Sequence, residues 1–283
     1  MKRFLLATTC LLTLNACAQL DKTPISSGDH YVNLGSSFAA GSGIDPLRVD
    51  SVKRCGQSMA SYASLLADDL QLRLEDRSCS GAMSSHVLGQ WNELPPQIDA
   101  VTSDTKLVTI TVGGNDLGYV TNLFAASCDE SKGFIYQGRK IPCSKERPPT
   151  EEDYIQLTKN MDEIARQIAV RGPEASLIFV QYVTLIPDVL CEAMGLSEEE
   201  ATRLRHLAEK LSTITTAAAE ENGASVLSID TGSSTHTACD AEPWSIGAVK
   251  QANNAQGVPW HPNKRGHEVI AEKLRRMLID EDR

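Results

Sequence analysis

The chain has 283 residues, 41% of them hydrophobic and 23% charged, which is the balance of a globular protein and suits one sizeable domain. Its formal net charge of −10 argues against nucleic acid or an anionic lipid surface as the main partner. No low-complexity linker and no internal repeat divides the sequence.

The chain begins as a targeting segment. Lys2 and Arg3 precede an apolar stretch from Phe4 to Leu14 that is too short to span a bilayer and has no polar face. Two exits are open. Ala16-Cys17-Ala18 fits ordinary signal cleavage, whereas Leu14-Asn15-Ala16-Cys17 resembles the bacterial lipobox, with Cys17 the lipidation candidate. The lipobox is favoured, although Asn15 is not its usual small residue. Removing Met1–Ala16 takes two positive charges and no acids, so −10 becomes −12. Residues 1–16 are thus a signal peptide, 17–29 a tether, and 30–283 one domain. The expected location is the periplasm or cell envelope, or else the medium.

Of 8 cysteines, Cys10 leaves with the signal and Cys17 is the lipid candidate. Cys55, Cys79, Cys128, Cys143, Cys191 and Cys239 remain, an even set that reads as a disulfide framework in an exported protein. None forms a C-x-x-C pair, which disfavours zinc. The six allow about 15 pairings.

From residue 30 onward, strand and helix patterns alternate. His30–Leu34 is an apolar run ending in Gly35-Ser36-Ser37, a strand running into a tight turn. Ser58–Leu70 reads as a helix with Tyr62, Leu65, Leu66 and Leu70 inward. A short strand near Leu72–Leu74 leads to the small-residue turn Ser78-Cys79-Ser80-Gly81-Ala82. Lys106–Val112 is the clearest strand, β-branched or apolar almost throughout, and ends in Gly113-Gly114-Asn115-Asp116. Ala125–Pro149 is a polar surface excursion bounded by Cys128 and Cys143, placed to act as a flap.

Thr150-Glu-Glu-Asp153 opens a helix with Leu157, Met161, Ile164 and Ile168 inward, closed by Gly172-Pro173. Ser176–Val180 is the next strand. Val183–Leu196 is a connection holding Cys191. Ser197–Glu200 starts a long helix stopped at Gly223, and Ser225–Ile229 is the fifth strand. A long loop from Asp230 to Trp260 precedes a last helix over about Asn263–Ile279. The pattern predicts a three-layer α/β/α sandwich on a mostly parallel five-stranded sheet.

Open sheets of this kind place their chemistry beyond the carboxyl ends of the strands. Ser37 follows the first strand, Gly81 the second and Asn115 the third, while His261 precedes the last helix. Each has a plainer reading alone: a turn serine, a turn Asn-Asp, a helix-start histidine. Together they can perform acyl transfer, which needs a hydroxyl, a base for its proton and donors for an oxyanion. The histidine spacing gives no metal pair, Gly41-Ser42-Gly43 lacks the rest of a dinucleotide fingerprint, and Ala39 breaks the G-x-S-x-G elbow. No metal and no cofactor is expected.

The ordered blocks Gly35-Ser36-Ser37, Gly81, Gly113-Gly114-Asn115-Asp116 and His261-Pro262-Asn263 resemble those of the SGNH (GDSL) hydrolases, a family of esterases and lipases with a flavodoxin-like fold. The likeness spans His30 onward and is greatest to the secreted bacterial branch with three disulfides. It implies Ser37 as nucleophile, His261 as base, and an oxyanion hole of Ser37, Gly81 and Asn115. It also implies the sequential pairs Cys55–Cys79, Cys128–Cys143 and Cys191–Cys239. The substrate would be a carboxylic ester, of a lipid or a short acyl group; the alternatives are acetyl groups on envelope glycans, or a ligand bound by an inactive surface lipoprotein. The expected form is a monomer that touches membrane only through an N-terminal lipid.

Two positions depart from the family pattern. Ser36 stands where the family has aspartate, and Val258 where its acid lies three residues before the histidine. No carboxylate occurs between Glu242 and His261. The Val258 main-chain carbonyl is therefore expected to orient His261, with Asp230 or Asp240 as the other option.

Overall fold

The computed structural model describes residues 24–129, 133–136, 139–248 and 256–280. The expected signal segment, Cys17 and most of the expected tether lie outside them. Five strands make one sheet: β1 (His30–Gly35), β2 (Arg73–Asp76), β3 (Thr105–Thr111), β6 (Ser176–Val180) and β7 (Ser225–Leu227). Their order is β2-β1-β3-β6-β7 and every pairing is parallel. The short strands β4 (Phe134–Tyr136) and β5 (Arg139–Ile141) form a separate antiparallel hairpin.

The helices are α1 (Ser37–Ala40), α2 (Tyr62–Leu70), α3 (Ser84–Leu88), α4 (Tyr119–Ala126), α5 (Glu151–Arg171), α6 (Glu198–Glu221), α7 (Asp230–Ser233) and α8 (Lys264–Asp280). α2 packs on α8, and α5 packs on both α6 and α3. β1 is buried along its whole length and β3 almost so, as strands covered on both faces must be. The core joins Tyr31, Leu34, Ile110, Phe179, Leu211 and Leu274 into one apolar cluster. No helix of the described residues is long and apolar enough to cross a membrane.

The sequence signals hold where local chemistry is strong. Thr150 and Ser197 cap α5 and α6 through reciprocal bonds with Asp153 and Glu200, an arrangement worth about 1 kcal/mol per helix. The expected inward residues Leu157, Met161, Ile164 and Ile168 are all buried. Elsewhere the boundaries move. α2 starts at Tyr62, not Ser58, because Ser61 caps it through Ser64 N–H and residues 58–60 turn instead. β2 runs to Asp76, where Asn33 and Ser78 anchor that carboxylate, rather than stopping at Leu74. The polar excursion is partly regular, holding the end of α4 and the β4–β5 hairpin. All three disulfides join the sequential pairs Cys55–Cys79, Cys128–Cys143 and Cys191–Cys239.

Candidate active site

The end of β1 is held from both sides. Ser36 N–H donates to the Thr111 carbonyl on β3 at 2.9 Å, and Cys79 N–H donates to the Gly35 carbonyl at 3.0 Å. The Gln97 side chain clasps the same glycine, accepting from Gly35 N–H at 2.7 Å and donating to its carbonyl at 3.1 Å. A Cβ at Gly35 would lie 2.2 Å from the Thr111 carbonyl oxygen, so only glycine permits this approach. The three turns carrying Ser37, Gly81 and Asn115 therefore stand side by side at the carboxyl ends of adjacent strands. The chain turns into α1 at Ser37, with Phe38, Ala39 and Ala40 buried behind it.

The second and third turns are also tied to each other. Asn115 Nδ2 donates to the Ala82 carbonyl at 2.9 Å, which uses one of its two amide hydrogens. The Asp116 carboxylate accepts from Ser84 N–H and from the Ser84 hydroxyl. Burial raises the Asp116 carboxyl, and the Ser84 bonds act against that rise. Among the described residues, no group takes the N–H of Ser37 or of Gly81. Gly81 has a φ of 84° and is exposed, so its N–H is available at the surface of the cleft.

His261 arrives from the far end of the chain. Its Nε2 lies 2.8 Å from Ser37 Oγ, and its Nδ1 2.8 Å from the Pro259 carbonyl oxygen. A carbonyl only accepts, so Nδ1 carries the ring proton. Nε2 of the neutral ring is then bare and accepts from the Ser37 hydroxyl. The orienting carbonyl is thus that of Pro259 and not of Val258. Trp260 adopts a left-handed φ of 59°, which folds the chain back between Pro259 and His261 and presents the nearer carbonyl to the ring. Such a conformation costs about 1–3 kcal/mol in a bulky residue and persists only when its surroundings fix it. Here the buried Trp260 donates from Nε1 to Ser127 Oγ at 3.1 Å and from N–H to the Ile246 carbonyl at 3.0 Å. The Val258 side chain instead faces the chain at Gly43.

Neither alternative carboxylate reaches the ring. Asp240 accepts from Thr237 N–H and hydroxyl, and Asp230 from Thr231 N–H. Burial lowers the pKa of His261 to about 4, against a smaller opposite effect of the Pro259 carbonyl. The loop that carries it is anchored through Asn263, which donates to the Pro243 carbonyl and accepts from Gly266 N–H. Trp244 is a packing residue here, stacked on His236 at 4.0 Å. His267 is a buried capping residue whose Nδ1 accepts from Tyr62 N–H at the start of α2. No cluster of metal-ligating side chains occurs among the described residues.

Sequence reasoning missed Gln97, the Ser84–Asp116 tie and Tyr182. Tyr182 follows β6 at the active end of the sheet, and that position is the one available signal. Gln97 and Ser84 offer none, since their partners lie 62 and 32 residues away.

The arrangement joins a hydroxyl, a neutral imidazole and unpaired N–H donors in one cleft, which suits attack on an acyl carbon. The profile of the GDSL-like Lipase/Acylhydrolase family matches residues 34–269. Lipase 2 of Streptomyces coelicolor is 31% identical over 255 residues, covering 86% of this chain and 83% of that protein. The lipase of Streptomyces rimosus is 27% identical over 265 residues, covering 93% and 91%. A crystal structure of the extracellular lipase of Streptomyces rimosus superposes with a TM-score of 0.69 at 25% identity, covering 88% of this chain and 99% of that one. With its profile matched from the first strand into the last helix, the chain belongs to the GDSL-like lipase/acylhydrolase family.

Proposed function

We propose that the chain is an exported carboxylic ester hydrolase, a lipase or esterase, in which Ser37 and His261 form an acyl-enzyme without a carboxylate partner. The observation that carries this reading is the 2.8 Å contact of Ser37 Oγ with an imidazole whose other nitrogen is held by a main-chain carbonyl. Ser37 Oγ attacks the acyl carbon while its proton passes to Nε2 of His261. The carbonyl oxygen, now negative, takes hydrogen bonds from the N–H groups of Ser37 and Gly81 and from the free amide hydrogen of Asn115. Collapse expels the alcohol, which leaves with the proton from Nε2. Water then repeats the sequence on the acyl-enzyme and frees the acid and Ser37. The Pro259 carbonyl fixes the tautomer and offers the imidazolium a partial charge only.

Residues 30–283 act as one domain, and export is supported by the three disulfides and by the basic and apolar start of the chain. Cys17 is the proposed lipid anchor. Detergent partition of the mature protein, abolished by Cys17→Ser, tests the anchor; a soluble form starting at Gln19 refutes it. The catalytic reading is tested with p-nitrophenyl esters of varied acyl length and with acetylated sugars. Turnover that disappears in Ser37→Ala supports it. Absence of turnover on every substrate refutes it and favours a ligand-binding protein.

A further inference from the structure

Tyr182 belongs to neither the nucleophile nor the base, yet it touches the segments that carry Ser37 and Asn115. It lies two residues beyond β6, at the active end of the sheet. Its hydroxyl oxygen accepts from Gly114 N–H at 2.9 Å, and Gly114 is the residue before Asn115. A Cβ at Gly114 would stand 2.8 Å from that hydroxyl, so the glycine makes room for it. The ring packs on Phe38 with centroids 4.4 Å apart, and Phe38 in turn packs on His261 at 4.7 Å. Tyr119 meets its edge at 6.3 Å. Burial pushes the phenol up to about 12, so it stays neutral across the range in which an imidazole base works. The Ser36 hydroxyl acts against the rise of the phenol's pKa.

We propose that Tyr182 is a positioning residue for the oxyanion hole: its hydroxyl holds the turn before Asn115 while its ring packs on Phe38, the residue after Ser37, and together they set the two donors in register. The inference rests on the Ser37–His261 reading above. Parallel strands β1 and β3 fix these turns only as far as Thr111 and Gly35, where their pairing ends. Beyond that point the Ala82 and Ser84 bonds tie the Asn115 turn to the second turn, and Tyr182 adds a tie at Gly114 N–H. Loss of the phenol oxygen leaves a main-chain N–H unpaired in a partly buried site, which favours a shift of the turn. Displacement of about 1 Å at a reacting centre can cost ~10²-fold in rate.

The test uses the full chain and a soluble p-nitrophenyl ester, with butylboronic acid as the probe of the oxyanion site. Its tetrahedral adduct with Ser37 places an oxygen among the same donors. Tyr182→Phe is expected to lower kcat about tenfold or more while KM stays within about twofold, the signature of a contribution realised in the transition state. Boronate affinity should fall by the same factor as kcat, and melting should stay well above the assay temperature. Phe38→Leu, which loosens the ring packing beside Ser37, should show the same pattern at smaller size, and the double variant should lose less than the product of the two. Should Tyr182→Phe not fold, Phe38→Leu decides alone with the same readouts. An unchanged kcat, a loss confined to KM, or a fall in kcat with boronate affinity retained overturns the proposal. Failure of the esterase reading looks different: wild type gives no turnover, or Ser37→Ala remains as active as wild type.

Discussion

The two halves of the site are built by different means. The side that carries Ser37, the proposed nucleophile, rests on regular structure: β1 lies between β2 and β3, and main-chain bonds from Ser36 and Cys79 continue the sheet for one more step. The side that carries His261, the proposed base, is irregular. His261 hangs on a left-handed tryptophan, a pairing of Ser245 with Pro262, and a loop stapled by Cys191–Cys239. Regular structure spreads the definition of a position over many equivalent backbone bonds. The irregular loop concentrates it in a few side-chain contacts, so single changes there should act more selectively.

The largest effects should come from breaking either half outright. Ser37→Ala and His261→Ala should each reduce kcat by ~10³-fold or more, and the double variant by little beyond that, if the pair acts as one unit. Additive losses on the p-nitrophenyl ester would separate the halves. Asn115→Ala probes the regular side alone; loss of one oxyanion donor is expected to cost about 10²–10³ in kcat, with KM nearly unchanged.

The staple probes the irregular side. Joint replacement of Cys191 and Cys239 by serine opens a closure of 48 residues, and chain entropy puts the loss at about 4 kcal/mol. Denaturant midpoints should fall accordingly, whereas an unchanged midpoint would mean that the Trp260 contacts hold the loop unaided.

Acidity sharpens the comparison, because the buried rings belong to the base loop and to α8. Burial puts the His261 pKa at about 4 and that of His267 at about 3, both below the ordinary 6.5. The base is therefore neutral, and usable, above about pH 4, so the acid limb of kcat/KM should fall near that value and not near 6.5. The stability sign follows from linkage. Below pH 6.5 the unfolded chain binds protons that the folded rings refuse, so this contribution is complete above 6.5 and shrinks as pH falls toward 3–4. Every tenfold weakening of a ring's proton affinity on folding is worth about 1.4 kcal/mol. Melting followed from pH 7 down to 4 should reveal the loss, and replacing His267 should reduce it.

The smallest effect concerns the carboxylates. Asp230→Asn and Asp240→Asn should leave kcat within about threefold, against the roughly 10⁴-fold loss of an aspartate that completes a triad. A loss of that size would overturn the carbonyl-oriented dyad.

Much of the molecule is legible in the sequence. Alternating periods predict five strands and the long helices, because a fully buried strand must be apolar throughout and an amphipathic helix must repeat near 3.6. The glycine and small-residue turns mark the carboxyl end of the sheet, and the ordered blocks point to Ser37, Gly81, Asn115 and His261 as the candidate site. The cysteines announce disulfides but leave their partners open until the family resemblance orders them. The helix from Tyr119 to Ala126 escapes because its polar neighbours resemble a loop.

What the tertiary structure decided is the wiring between distant segments. The sequence pattern points to Val258 as the residue that orients the histidine, yet the choice of Pro259 depends on a positive φ at Trp260, which no propensity predicts for a bulky residue. That conformation exists because Ser127 and Ile246, far away in sequence, receive the indole and the backbone N–H. The same holds for Gln97 on Gly35 and for Tyr182 on Gly114. Sequence periodicity encodes what each segment buries, since burial is a property of the segment. A hydrogen bond between two turns depends on where both have already been placed, so only the assembled fold determines it.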